Sequence, residues 1–174
     1  MGLVLPRRDM IHWVIRCSQE WLEPIYWKIH EKLSACGVLH MDETRIQCNK
    51  EKGKKPNSES FIWVMRETFM EDGRLPISNN LCEANIKPFA TARRAWLFAD
   101  TPKGATANAV LYTLVESARA NGLDVYSYLK YLLTEMPNNH HLENPEILER
   151  YLPWSPDLPE DCRLKRQNKK CLKL

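Results

Sequence analysis

Two carboxylates carry the clearest chemical suggestion in this sequence. Asp42 lies in the stretch VLHMDETRIQ, residues 38–47, whose alternation places Val38, His40, Asp42, Thr44 and Ile46 on one face of a predicted strand. An aspartate on that mostly apolar face needs a hydrogen-bond partner or a cation, because an unpaired buried charge is costly to desolvate. Glu83 follows Ser78, Asn79 and Asn80, three good helix N-caps, and so falls in the first turn of a predicted helix. The positive end of the helix dipole favours a carboxylate there. Brought together, a strand aspartate and a helix glutamate could hold Mg²⁺, a hard ion that takes oxygen ligands. Two such ions about 3.5 to 4 Å apart can clamp the attacking and leaving oxygens of an in-line phosphoryl displacement. Each residue also has a plain reading: Asp42 bonded to backbone or to Arg45 at the strand margin, and Glu83 acting only as a helix cap. Glu43 should point to the opposite face from Asp42.

Positive charge is clustered although the formal net charge is only +3. Lys50, Lys52, Lys54 and Lys55 share one predicted turn, and Lys87, Arg93 and Arg94 follow Glu83 along its helix. The stretch 163–174 adds Arg163, Lys165, Arg166, Lys169, Lys170 and Lys173 with no acid among them. Such patches suit a polyanion; along the Glu83 helix they could grip phosphates, which positions nucleic acid without reading its sequence. Solvated surface is the plain alternative.

Other candidates are weaker. The six cysteines form no CxxC pair and no Cys/His cluster at zinc-ligand spacing, which points to a reducing cytoplasm. No histidine is placed to activate Cys82 beside Glu83. Lys103 and Gly104 lack the spacing of a phosphate-binding loop, and His140 and His141 read as loop residues. No secretory signal opens the sequence, and no segment approaches the ~20 apolar residues of a membrane helix.

The elements that must position these groups read as follows. A helix over 9–35, capped by Asp9 and bent at Pro24, carries Ile11, Val14, Ile15, Trp21, Leu22, Ile25, Ile29 and Leu33 as a packing stripe. After Gly37 comes the Asp42 strand, then a Lys-rich turn, then a strand FIWVMR over 61–66 that should pair with the first as an antiparallel hairpin. Beyond Glu67 the pattern passes directly to the Glu83 helix, with no third strand and no crossover helix between. That helix is expected to kink at Pro88 and end near Trp96, with Trp96 and Phe98 in the core. Helices over 105–121, 125–135 and 146–152 follow, with Gly122 ending the first, Asp124 capping the second, and Asn144 and Pro145 starting the third. The tail after Cys162 is expected to fray.

Residues 72–133, with NNLCEANIKPFATARRAWLF at their centre, resemble the C-terminal part of the insertion-sequence-66 (IS66) family of transposases, whose hallmark is NN..E..I.P....R..WLF followed by a small-residue helix. VLHMDET resembles that family's first catalytic strand, residues 10–36 the helix leading into it, and LPWSPDLPEDCR its terminal element. The resemblance implies a ribonuclease-H-like core with an Asp, Asp, Glu (DDE) triad on Mg²⁺, in which water cuts a phosphodiester and the freed 3′-hydroxyl attacks target DNA. On that reading Asp42 and Glu83 are catalytic metal ligands and Lys87, Arg93 and Arg94 contact DNA. The second aspartate, on a DGY-type segment, and the Cys/His stretch after it have no match. Asp72 belongs to a DGR stretch outside the triad, and Asp100 is no better placed. The gap coincides with the jump after Glu67.

The expected architecture is therefore α+β and mostly helical, a truncated ribonuclease-H-like core of a β-hairpin plus helices. Residues 1–67 form its N-terminal part, 68–135 its helical C-terminal part, and 136–174 a terminal element with a basic tail. The family's N-terminal DNA-recognition region is expected to be missing. The expected function is DNA transposition in an inactive, internally deleted form. The alternative is a non-catalytic DNA-binding or oligomerising remnant that interferes with an intact transposase. Expected partners are DNA and further copies or an intact relative, with no membrane.

Overall fold

Alternation in the two strand segments sets the hairpin. The structure, a computed structural model, describes residues 4–37, 39–56, 58–67, 80–96, 99–139 and 144–164; within 80–96 it describes the side chains of 80, 83, 84 and 86–91. Strand β1 (Leu39–Gln47) pairs antiparallel with β2 (Glu59–Glu67), with Leu39 opposite Glu67 and Gln47 opposite Glu59. As the period of two requires, Asp42 and Thr44 are half-buried and Ile46 fully buried on one face, while Met41, Glu43 and Arg45 are exposed on the other. The turn between the strands is built from side chains. The Gln47 amide donates to Asn49 Oδ1 and to the Pro56 carbonyl, both at 3.1 Å, and Gly53 takes a φ of +83° that glycine adopts without steric cost.

The N-terminal helix is divided differently from expectation. Helix α1 (Arg7–Cys17) begins directly after Pro6, so Asp9 lies in its first turn rather than at the cap. A π-helical turn at Ser18–Leu22 separates it from α2 (Glu23–Ser34). The break thus precedes Pro24, which sits in the first turn of α2, where its missing N–H costs no intrahelical bond. The expected packing stripe is also divided. Leu22, Ile25 and Ile29 are buried, whereas α1 buries none of its residues and leaves Ile11 52 % exposed.

Helix α3 (Asn80–Trp96) carries Pro88 in its interior and continues through it. Helix α4 (Pro102–Ala120) starts three residues before its predicted position because Thr101 caps it, the Thr101 hydroxyl accepting from the Gly104 N–H at 3.2 Å. Gly122, at φ +69°, follows its end as expected. Asp124 caps α5 (Val125–Glu135), its Oδ1 accepting from the Ser127 N–H at 2.8 Å. The helix predicted near 146–152 is a 3₁₀ segment, Pro145–Tyr151. Prolines at 145 and 153 leave little room for i→i+4 bonds, and the tighter i→i+3 pattern closes within the available length.

Two apolar clusters result. The larger joins α2, α4, α5 and the C-terminal segment through Ile25, Leu114, Tyr128, Leu132 and Leu152. That segment returns to the bundle: the Leu164 N–H donates to the Gly122 carbonyl at 3.0 Å, and the Tyr128 hydroxyl donates to the Tyr151 carbonyl at 2.7 Å. The smaller cluster, Ile46, Phe89 and Ala99 with Ile62, Ala105 and Tyr112 around them, holds α3 and the start of α4 against the hairpin. The architecture is therefore α+β and mostly helical, with one two-stranded sheet among the described residues. No described helix is long and apolar enough to cross a membrane.

Candidate catalytic and nucleic-acid site

Asp42 and Glu83 occupy elements that touch. Asp42 is half-buried on the face of β1 that α3 covers, and Glu83 is exposed in the first turn of α3. Three residues on from Glu83, Ile86 is buried, and Phe89 beyond it packs in the same cluster as Ile46 of β1. Glu83 therefore sits at the rim of the packing face of its helix, since helical residues three apart are neighbours.

The local bonding of Asp42 matches its plain reading. Its Oδ1 accepts the Glu43 N–H at 2.9 Å, while Arg45 is directed to Glu59 at 3.2 Å. Glu43 lies on the exposed face, as its parity requires. No group of three or more His, Cys, Asp or Glu side chains able to hold a metal ion occurs among the described residues. A two-ion centre needs more carboxylate ligands than these two supply, so the described donor set does not fit it.

Lys87 is exposed on α3, one helical turn after Glu83. Arg93 and Arg94 lie on the same helix, with side chains outside the described ones. Asp72, the predicted caps Ser78 and Asn79, Phe98, His140 and His141 all lie outside the described residues, as does most of the basic tail.

Sequence reasoning did not foresee how the Lys-rich turn is tied to the start of α4. The Asn49 N–H donates to the Ala99 carbonyl at 3.0 Å, the Lys50 N–H to the Asp100 carbonyl at 3.1 Å, and the Lys50 ammonium meets the Asp100 carboxylate at 2.6 Å. Lys54 is held by Glu51 at 2.8 Å and by the Ser60 hydroxyl at 3.0 Å. Glu51 in turn stays ionised below the usual carboxylate range, first because of its bond to Lys54 and then that from Ser60. The pairing of Asp100 with a lysine fifty positions earlier leaves no periodic trace in the sequence.

Comparison with known proteins identifies the family of the chain. The model of the IS66 transposase family matches residues 1–68 and, separately, 65–107, and the model of the IS66 C-terminal element matches residues 113–154. The chain belongs to the IS66 family of transposases. Among similar curated sequences, the uncharacterized protein y4jD of Sinorhizobium fredii is 31 % identical over 93 residues, covering 53 % of this chain and 18 % of that protein. The uncharacterized protein y4qI of the same organism is 28 % identical over 130 residues, covering 72 % of this chain and 24 % of its own length. The chain thus spans a quarter or less of these relatives. No solved structure matches it.

Proposed function

We propose that this chain is a transposase remnant that binds DNA without cutting it, a ribonuclease-H-like DDE core from which the middle has been lost. Family membership gives a transposition-related function. The observation that carries the finer reading is the divided match to one family model. Its two stretches meet at residues 65–68, where the sequence passes from the second strand straight toward the Glu83 helix and where the second aspartate of the triad has no counterpart.

In an intact centre of this type Mg²⁺ would polarise the scissile phosphate and activate water. Asp42 and Glu83 are the residues that match its ligands here, and with the second aspartate absent no cleavage step is assigned to them. What the chain keeps is basic surface on α3, where Lys87 is exposed, suited to duplex phosphates. Free Cys17, Cys36, Cys48 and Cys162 are compatible with a cytoplasmic setting.

The test is incubation of the chain with duplexes carrying element ends in Mg²⁺ or Mn²⁺. Salt-sensitive binding with no nicking is the expected result. Nicking that is abolished by both Asp42→Ala and Glu83→Ala would overturn the proposal.

A further inference from the structure

The Lys-rich hairpin turn and the first turn of α4 form one basic surface, and its charge is not evenly available. Residues 49–56 and 99–104 hold five lysines against two acids. Both acids are engaged within the surface, Asp100 by Lys50 at 2.6 Å and Glu51 by Lys54 at 2.8 Å. Lys52, Lys55 and Lys103 are exposed and have no carboxylate partner among the described residues. The scaffold beneath them is fixed. Backbone bonds run from Asn49 and Lys50 to Ala99 and Asp100, the Gln47 amide bridges Asn49 and Pro56, and Thr101 caps α4. The pairs at Lys50 and Lys54 therefore shape the surface, and the other three lysines supply its excess charge.

We infer that Lys52, Lys55 and Lys103 form a second phosphate-contacting surface for duplex DNA, distinct from the α3 residues and set at the far end of β1 from Asp42. The inference rests on the DNA-binding reading above and adds a separate place of contact. Five residues of strand separate Asp42 from Gln47, the last residue of β1, about 17 Å at the rise of a strand, and the Lys-rich turn begins beyond it. That is about five base pairs of duplex at 3.4 Å each. Exposed lysines with no carboxylate partner among the described residues, next to lysines held in ion pairs, suit a backbone contact, which needs cations and no base-specific donor.

The experiment is the salt dependence of binding of the full chain to a 30-base-pair duplex, compared across variants. Each lysine that neutralises one phosphate adds about 0.9 to the slope of log affinity against log salt. Lys52→Ala/Lys55→Ala/Lys103→Ala should flatten the slope by about 2 to 3, so that the affinity lost between 50 and 200 mM salt shrinks by up to about 40-fold. A control of equal charge change, Arg7→Ala/Arg8→Ala/Lys130→Ala, should leave the slope as in the parent. All six substitutions fall outside the buried core, and circular dichroism confirms that each variant is folded. A triple-lysine variant with the parental slope, or a control that flattens it equally, overturns this inference alone. Absence of duplex binding by the parent chain overturns the DNA-binding reading and this surface with it.

Discussion

Ala99 lies beside Cys48 in a one-residue parallel bridge: the Ala99 N–H donates to the Gln47 carbonyl at 2.9 Å, and the Ala99 carbonyl accepts from the Asn49 N–H at 3.0 Å. This short splice fastens the end of β1 to the segment between α3 and α4. It lends backbone support to a hairpin that would be marginal alone. The side chains around it, Ile46 and Phe89, form the small cluster that holds the hairpin to the helices.

Phe89 is the pivot of that cluster, packed edge-on against Tyr112 with ring centroids 4.8 Å apart. Phe89→Ala removes a buried apolar contact between α3 and the hairpin and should cost about 3 to 4 kcal/mol. Because the larger cluster lies elsewhere, hydrogen exchange should speed up first in β1 and β2 and later in α4 and α5. Equal acceleration in all four elements would show that the two clusters unfold as one.

How far the sequence disclosed this arrangement depends on whether a local rule decided the outcome. The pairing of β1 with β2, the inward parity of Asp42 and the caps at Gly122 and Asp124 follow from periodicity and turn chemistry, and all were legible. Where tertiary contact decides, local reading failed. Ile11 and Ile25 look alike in a helical pattern, yet one is half exposed and the other wholly buried, because α2 packs in the main core and α1 lies at its margin. The π turn before Pro24 has no counterpart in the helical pattern, and the 3₁₀ form of Pro145–Tyr151 follows from the prolines at 145 and 153, a local constraint that the apolar periodicity does not carry. At the candidate site, the identity of Asp42 and Glu83 came from motif resemblance. The ties from Lys50 to Asp100 and from Asn49 to Ala99 join residues some fifty positions apart, beyond the reach of any local pattern.

Stability should fall on acidification through identifiable carboxylates. The Asp124 carboxylate is held below its usual range, first by the bond from the Ser127 backbone N–H, and Glu149 is lowered by its bond to Lys32 and the charge of that lysine. A folded-state value below the unfolded one gives stability that is present above the ordinary carboxylate range, near pH 4, and lost as pH falls through the folded value. Urea midpoints measured from pH 6 down to pH 2 should therefore decline below about pH 4. Asp124→Asn keeps a capping oxygen without a titrating group and should decline less steeply. An unchanged acid limb in that variant would remove Asp124 from the account.

Tyr128 is fully buried, and burial first, with a smaller contribution from Cys162, raises its hydroxyl pKa far above the usual phenol range. The group is therefore a neutral donor, and it donates to the Tyr151 carbonyl at 2.7 Å. Tyr128→Phe keeps the ring and strands that carbonyl, which should cost about 1 to 2 kcal/mol. Chemical denaturation of the two proteins side by side measures it. No loss would mean that the carbonyl finds another donor.

Ser18 presents the opposite case, a buried hydroxyl with no hydrogen-bond partner among the described residues. It opens the π turn that joins α1 to α2, at 1 % exposure. An unpaired buried hydroxyl retains its desolvation cost with no bond to offset it, so Ser18→Ala should be neutral or stabilising by up to about 1 kcal/mol. Ser18→Val should instead destabilise, by about 1 to 3 kcal/mol, because the added methyl must fit a well-packed interior. Thermal melts of the two variants against the parent decide the matter. A clear loss in Ser18→Ala would mean that the hydroxyl is bonded in solution and that the π turn depends on it.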